Sequence, residues 1–336
     1  MQCGTPLKCY AAAIAFALSA AIISPAPLLA QSPGIKFTGF NVPGSTGGAV
    51  SVLGVNNLGL SVGFYALSSG VFGFLRAPSG GLAPLADPVD TGTPYTAPTG
   101  VNNTGTIVGV FFNPAANADN GFLYATGTYQ TYVFPGLPPG TGTVLAKTND
   151  VGGLCGYMIP AATPTETQAF ISLRNGAETT TFSVKNSRTQ CLDINDVNTT
   201  AGSYQDSAGV WHGFVRTAGG TITTIDVPGA STTPGSVPCP IQSDVGSTAA
   251  GTIVEGINNL GDVSGHFWDK SHNEHGFVLS PTSFFAPGKF TQIDFPGAFQ
   301  TAGSKLNDLG EIVGHYTDKS CNGFGYTAQL PPESLL

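Results

Sequence analysis

The chain has 336 residues, a formal net charge of −8 and only 10% charged residues, beside 46 Gly and 25 Pro. Its 12 basic residues are scattered, which excludes nucleic acid as a partner, because gripping a phosphate backbone takes clustered Lys and Arg. A 41% hydrophobic content with 21 Phe and 10 Tyr excludes a disordered chain and is enough for a large core.

Residues 1–30 read as an export leader. Lys8 precedes an apolar run from Ala11 to Ile23, followed by Pro25, Pro27 and the small residue Ala30 at the expected cleavage point. The run is shorter than the ~20 apolar residues of a membrane span, and prolines interrupt it. Cys9 precedes the run instead of ending it, so no lipid anchor is expected. No second apolar span follows, and a secreted or periplasmic monomer is the expected product. Removing the leader leaves Cys155, Cys191, Cys239 and Cys321, which permit three disulfide pairings in an oxidising compartment. No Cys-x-x-Cys spacing points to zinc or redox chemistry.

Residues 35–330 are expected to form one domain, with 331–336 as a tail. The first strand-like run is Lys36–Gly44, KFTGFNVPG. An Asn-rich turn then recurs at Asn56-Asn57, Asn102-Asn103, Asn149-Asp150, Asn195-Asp196, Asn258-Asn259 and Asn307-Asp308. The spacings of the first Asn are 46, 47, 46, 63 and 49 residues, and the long one holds an insertion at about 231–250. Three residues after each first Asn stands Gly, or Asn198 in the fourth copy. That is the chemistry of a hairpin turn with a G1 bulge, in which the last position needs φ > 0. The turn accounts for the Asn residues without a ligand.

Each turn lies between a first and a second strand, and a Gly-Phe or Ala-Phe run marks the third. That run is placed at Gly73-Phe74, Gly121-Phe122, Ala169-Phe170, Gly213-Phe214, Gly276-Phe277 and Gly323-Phe324. Five fourth strands follow, near 82–87, 129–134, 179–184, 221–227 and 290–295, while the sixth copy ends after its third. The missing strand sits at the other end, since Lys36–Gly44 matches Lys289–Gly297, KFTQIDFPG. A chain that starts on strand four and ends on strand three is built to close a ring. The predicted fold is all-β: a six-bladed β-propeller of four-stranded antiparallel blades, in which the N-terminal strand completes the last blade.

The pattern G-[IV]-N-N-x-G-x-[IV]-V-G followed by Gly-Phe or Ala-Phe resembles the extracellular repeat family named for a His-Ala-Phe signature. His275-Gly276-Phe277, His212-Gly213-Phe214 and Gln168-Ala169-Phe170 carry the likeness as divergent forms. The resemblance implies an exported bacterial repeat protein and transfers no catalytic residue.

With strand four outermost, strand one lines the channel. Two residues before each first Asn stand Gly54, Gly100, Lys147, Asp193, Gly256 and Lys305, with Glu255 one step earlier in the fifth copy. Lys147 with Asp193 and Glu255 with Lys305 form two pairs on neighbouring blades, read either as structural ion pairs or as a polar channel mouth holding a small ligand. His266 and His315 occupy one position in the fifth and sixth copies, and Asp269 and Asp318 follow three residues later. Such residues can ligate zinc or copper, but repeat equivalence alone accounts for them, so no metal or other cofactor is assigned. Among the cysteines, Cys191 with Cys239 is the favoured disulfide, and Cys239–Cys321 with Cys155–Cys191 is the alternative. No nucleophile elbow, His-Glu-x-x-His or phosphate loop is present.

The expected function is a secreted binding or adhesion module for glycans or cell-surface proteins. The alternative is a propeller enzyme of glycosidase, lyase or lactonase type with its site at a channel mouth.

Overall fold

The computed structural model describes residues 34–45, 50–86, 94–239, 248–280 and 288–331. The expected leader, residues 240–247 of the insertion and residues 332–336 of the tail lie outside them.

Short runs rich in β-branched and aromatic residues, punctuated by Asn-Gly turns, give antiparallel meanders. Strand β1 (Lys36–Phe40) comes first. Blade one contains β2 (Val50–Val55), β3 (Ser61–Leu67), β4 (Gly70–Arg76) and β5 (Leu82–Leu85); blade two contains β6 (Thr96–Val101), β7 (Ile107–Asn113), β8 (Ala118–Ala125) and β9 (Thr128–Tyr132). Blade three is β10 (Gly142–Thr148), β11 (Leu154–Ile159), β12 (Gln168–Leu173) and β13 (Glu178–Phe182). Blade four is β14 (Arg188–Ile194), β15 (Thr200–Gln205), β16 (Trp211–Arg216) and β17 (Ile222–Ile225). Blade five is β18 (Thr252–Ile257), β19 (Val263–Trp268), β20 (Glu274–Ser280) and β21 (Lys289–Ile293). Blade six joins β22 (Gln300–Leu306), β23 (Glu311–Thr317) and β24 (Gly323–Gln329) to β1.

The result is the predicted six-bladed propeller, each blade a four-stranded antiparallel sheet. The N-terminal strand pairs antiparallel with the last one, from Lys36↔Gln329 to Phe40↔Gly325, so the ring closes through main-chain bonds. The inner strands β2, β6, β10, β14, β18 and β22 each neighbour the next around the channel. Among the described residues, no helix is long and apolar enough to cross a membrane.

The core lies between blades. Phe74, Phe122, Phe170, Phe214 and Phe277 are fully buried and pack against residues of adjoining sheets, which explains the recurring Phe of the third strand. Blade six departs from the expected register. Gly314 of β23 pairs with Tyr326, as Gly265 of β19 pairs with Phe277, so the sixth counterpart of Gly-Phe is Gly325-Tyr326 and not Gly323-Phe324. Two residues along a strand preserve the side-chain face, so GFGY admits both registers by pattern. Burial distinguishes them: Tyr326 is fully buried, whereas Phe324 is half-buried.

The turns are as predicted, with Gly59, Gly105, Gly152, Gly261, Gly310 and Asn198 all at positive φ. A second irregularity recurs just before them. Every inner strand carries a register shift, between Val52 and Gly54 in blade one and at the matching place in the others. These bulges turn extra side chains toward the axis.

The favoured disulfide is overturned. Cys239 pairs with Cys321, not Cys191. From Ser231, whose N–H donates to Trp268 O in blade five, the insertion reaches the β23–β24 turn of blade six at Cys239. Its far end returns to the outer turn of blade four, where Thr248 bonds Gln205 and Gly209 and Ala250 O accepts the Trp211 amide, well away from Cys191 inside the sheet. Cys191 is fully buried within β14, packed with Cys155 between blades three and four, and both are free thiols. Burial pushes the Cys155 thiol well up, and the adjoining Cys191 adds to the rise.

Candidate functional site in the central channel

The channel has two unlike ends. At the narrow end each turn uses its first Asn twice. The Asn56 Oδ1 accepts the amides of Leu58 and Leu60, which fixes the turn, while its Nδ2 donates to Asn102 O at 3.0 Å in the next blade. The same link runs from Asn102 to Asn149, Asn149 to Asn195, Asn195 to Asn258, Asn258 to Asn307 and Asn307 back to Asn56. A second circle lies beside it. The backbone amides of Asn57, Asn103, Asp150, Asp196, Asn259 and Asp308 each donate to the side-chain Oδ1 of the next member, at 2.7–2.9 Å. Turn chemistry is therefore only half of why these residues are amides and carboxylates. The remaining mouth holds a cavity of about 40 Å³.

One layer deeper, Gly54, Gly100 and Gly256 stand where the next inner strand passes. A Cβ on Gly100 would meet Ala146 O at 2.8 Å, and one on Gly256 would meet the Lys305 Cα at 2.9 Å. At the equivalent positions of the other blades, Lys147, Asp193 and Lys305 send polar groups toward the axis. Lys147 Nζ donates to Val101 O at 2.8 Å. Lys305 reaches across the ring, donating to Thr99 O at 2.6 Å and Ala146 O at 2.9 Å in blades two and three. Asp193 accepts the amides of Ile194 and Ile257.

These charges sense one another in a dry environment. Burial raises the Asp193 pKa, and the Lys147 and Lys305 ammonium groups partly oppose that rise. Burial lowers the Lys305 pKa, opposed first by Asp193 and also by Glu255, with Lys147 adding to the fall. The lysine bonds run to carbonyl oxygens, so Lys147 and Lys305 make a cross-channel floor.

Above that floor the channel widens into a chamber of about 390 Å³. The bulge positions Leu53, Thr99, Ala146, Leu192, Glu255 and Ser304 form its lower wall. One step outward comes the residue after the second-strand Gly, which is Phe64, Val110, Tyr157, His266 or His315. Tyr95, Arg188 and Trp211 complete the lining, with the Arg188 guanidinium 4.9 Å above the Trp211 ring. Burial raises the Tyr95 pKa to about 12, with Asp119 adding to it, and burial also raises that of Tyr157. Arg188 Nε, Trp211 Nε1 and both ring nitrogens of His315 are buried without a hydrogen-bond partner in the protein. Buried polar atoms ordinarily find partners, so the cluster marks a place suited to a polar guest.

Of the residues singled out in sequence, Glu255, Lys305, His266 and His315 come together in this chamber. Burial lowers the His266 pKa to about 4; it lowers that of His315 to about 3, with His266 contributing. Both rings are neutral near pH 7. Lys147 lines the narrow mouth, and Asp193 lies buried beside the floor. Asp269 and Asp318 are elsewhere. They close the second-to-third-strand turns of blades five and six by accepting the amides of Ser271 and Asn273, and of Ser320 and Asn322. His272 and Cys321 then hold positive φ at the same turn position. His275 sits between Asp294 and Asp269 at 2.9 and 3.5 Å, outside the chamber.

Tyr95, Tyr157, Arg188 and Trp211 escaped the sequence reading. Comparing the residue after the second-strand Gly across all copies picks out Tyr157 along with the histidines; nothing in the repeat pattern singles out Arg188 or Tyr95. Among the described residues, no group of three or more His, Cys, Asp or Glu side chains is arranged to hold a metal.

No protein-family model matches the chain, and no curated protein matches it by sequence. The fold has solved counterparts. A protein of unknown function from Dyadobacter fermentans is 10% identical with a TM-score of 0.51, over 89% of this chain and all of that one. The PQQ-bound aldose sugar dehydrogenase of Streptomyces coelicolor is 11% identical with a TM-score of 0.49, over 89% and 99% of the two chains. The virginiamycin B lyase of Staphylococcus aureus is 12% identical with a TM-score of 0.45, over 88% and 100%. At such identities the likeness is one of fold.

Proposed function

We propose that this protein is an exported binding module whose recognition site is the wide chamber, and whose ligand is a glycan unit carrying an acidic group. The observation behind this reading is the chamber itself. It falls in the size range of about 300–1,000 Å³ typical of small-ligand pockets. Its aromatic walls beside donors without protein partners suit a sugar, which offers an apolar face and a ring of hydroxyls. Charge narrows the class. Arg188 and Lys305 are the cations of the lining and Glu255 its anion, with both histidines neutral, so the chamber is net positive inside a chain of net charge −8. Two N–H groups of Lys305 are used on carbonyl oxygens, which leaves a third. The Cys239–Cys321 disulfide supports an oxidising compartment, in keeping with the leader pattern of residues 1–30 and with the extracellular repeat resemblance.

Calorimetry of the secreted protein against uronate-containing and neutral oligosaccharides tests the proposal. Uronates should bind and Arg188→Ala should weaken them at least tenfold. Equal affinity for neutral sugars would remove the acidic group from the proposal, and no binding by either class would sink it.

The enzyme alternative draws on one observation, that Glu255, His266 and His315 share this chamber. It requires turnover of such an oligosaccharide that disappears in Glu255→Gln while binding persists.

A further inference from the structure

The narrow face carries a ring that the fold does not require. The third residue of each turn is Leu58, Thr104, Val151, Val197, Leu260 or Leu309. The five aliphatic side chains are 60–70% exposed, and they make up most of the exposed large hydrophobics among the described residues. Turn geometry does not select them. This position needs only its backbone amide, which donates to the first Asn in the case of Leu58, Val197, Leu260 and Leu309. Thr104 in blade two shows that a polar residue serves equally well. Isolated exposed aliphatics are ordinary, whereas the same choice at five equivalent places around one mouth forms a collar.

Inside the collar the mouth is acidic. Asp150, Asp196 and Asp308 line it, and Lys147, already bonded to Val101 O, is its cation. The remaining balance is two negative charges over a cavity of about 40 Å³, room for one small polar head. An anionic lipid surface is repelled by this arrangement, and a second copy would set one acidic mouth against another. Charge complementarity selects a different occupant.

We propose that the narrow face is a docking surface for a protein segment that presents a lysine or arginine at its tip, flanked by apolar side chains. The basic group enters the acidic mouth and the flanks cover the aliphatic collar. The chamber and its ligand play no part in this surface.

The probe is a panel of disulfide-closed heptapeptides with leucine flanks and Lys, Arg, Gln or Glu at the tip, titrated into the intact protein. Lys and Arg peptides should bind at least tenfold more tightly than the Gln peptide, and the Glu peptide should not bind. Raising salt from 50 to 500 mM should erase most of that preference. Two variants should each lower the Lys-peptide affinity at least tenfold: Leu58→Ser/Val197→Ser/Leu309→Ser and Asp196→Asn. The first places a hydroxyl residue where blade two has Thr104, and the second an amide where blade one has Asn57, so both keep the turns folded. Equal binding of Lys and Gln peptides, or no binding of any peptide, overturns the proposal. So does collar-dependent attachment to phosphatidylcholine vesicles, or a collar-dependent dimer in sedimentation, without peptide binding.

Discussion

Asn307 Nδ2 donates to Asn56 O at 2.9 Å across 251 residues of sequence, completing a circle of six amide-to-carbonyl bonds that all run in one direction. Each amide joins its own turn to the next blade, so turn formation and blade packing depend on the same side chains. Chains of hydrogen bonds polarise one another, and losing one member affects more than its own pair.

Asn195→Asp separates the two roles. The carboxylate still accepts the amides of Val197 and Thr199, but an oxygen replaces the donor that meets Asn258 O at 3.1 Å. A loss of about 2–3 kcal/mol is expected from leaving a buried acceptor opposite a charge. Urea unfolding measures it, and a change below ~0.5 kcal/mol, the size of an ordinary surface substitution, would show that the circle adds little.

Lys305→Met removes an ammonium held by carbonyls of two other blades and leaves Asp193 with less compensation. Breaking such a buried arrangement costs about 3–5 kcal/mol. Adding Asp193→Asn should recover at least half of the loss, and a double variant no more stable than the single one would mean that the two charges are uncoupled.

The histidines act in opposite directions with pH. His266 and His315 have folded pKa values of about 4 and about 3, below their unfolded value of 6.5, so their contribution is complete above pH 6.5 and is lost as pH falls toward 4. Near pH 5 the unfolded chain holds about two more protons at these sites, a slope of about 2.7 kcal/mol per pH unit. For His275, burial acts to lower the pKa, but Asp294 and Asp269 outweigh it and raise the value. Its contribution is complete below pH 6.5 and is lost as pH rises through the raised value. The acid-side slope should flatten in His266→Phe/His315→Phe, which copies Phe64 of blade one. An unchanged slope between pH 4 and 6.5 would contradict burial of neutral rings.

Reduction of Cys239–Cys321, or Cys239→Ser/Cys321→Ser, should cost about 2–4 kcal/mol, since the bond closes a long loop at a separation of 82 residues. Differential scanning calorimetry with and without reductant reads this directly. Cys191→Ser should leave the melting shift on reduction intact; its disappearance would return Cys191 to the pairing.

The sequence carried the architecture because architecture here is local. The Asn turns, the buried Phe of third strands and the match of Lys36–Gly44 to Lys289–Gly297 each depend on a few neighbouring residues. What stayed hidden depends on several blades at once. Lys305 senses Glu255 next door, as repeat position implies, but its hydrogen bonds across the ring to Thr99 O and Ala146 O had no signal in the sequence. Arg188 and Trp211 belong to different strands of blade four, and only the fold stacks them. Cys239 was misassigned because an insertion between repeats has no equivalent from which to read its path. Phe324 was misplaced because a slip of two residues leaves the alternation of a strand unchanged.

The pairing of β1 with β24 also sets a clock. The first strand of the ring is made before every other strand in it, and its partner is the last of them. Until residue 329 has emerged, β1 can only wait, and β23 and β24 have no outer neighbour. Five blades can form in order during synthesis, but the ring cannot lock until β24 is free to meet β1. A nascent chain arrested before β24 should therefore remain open to proteolysis at blade one however well its middle blades have folded.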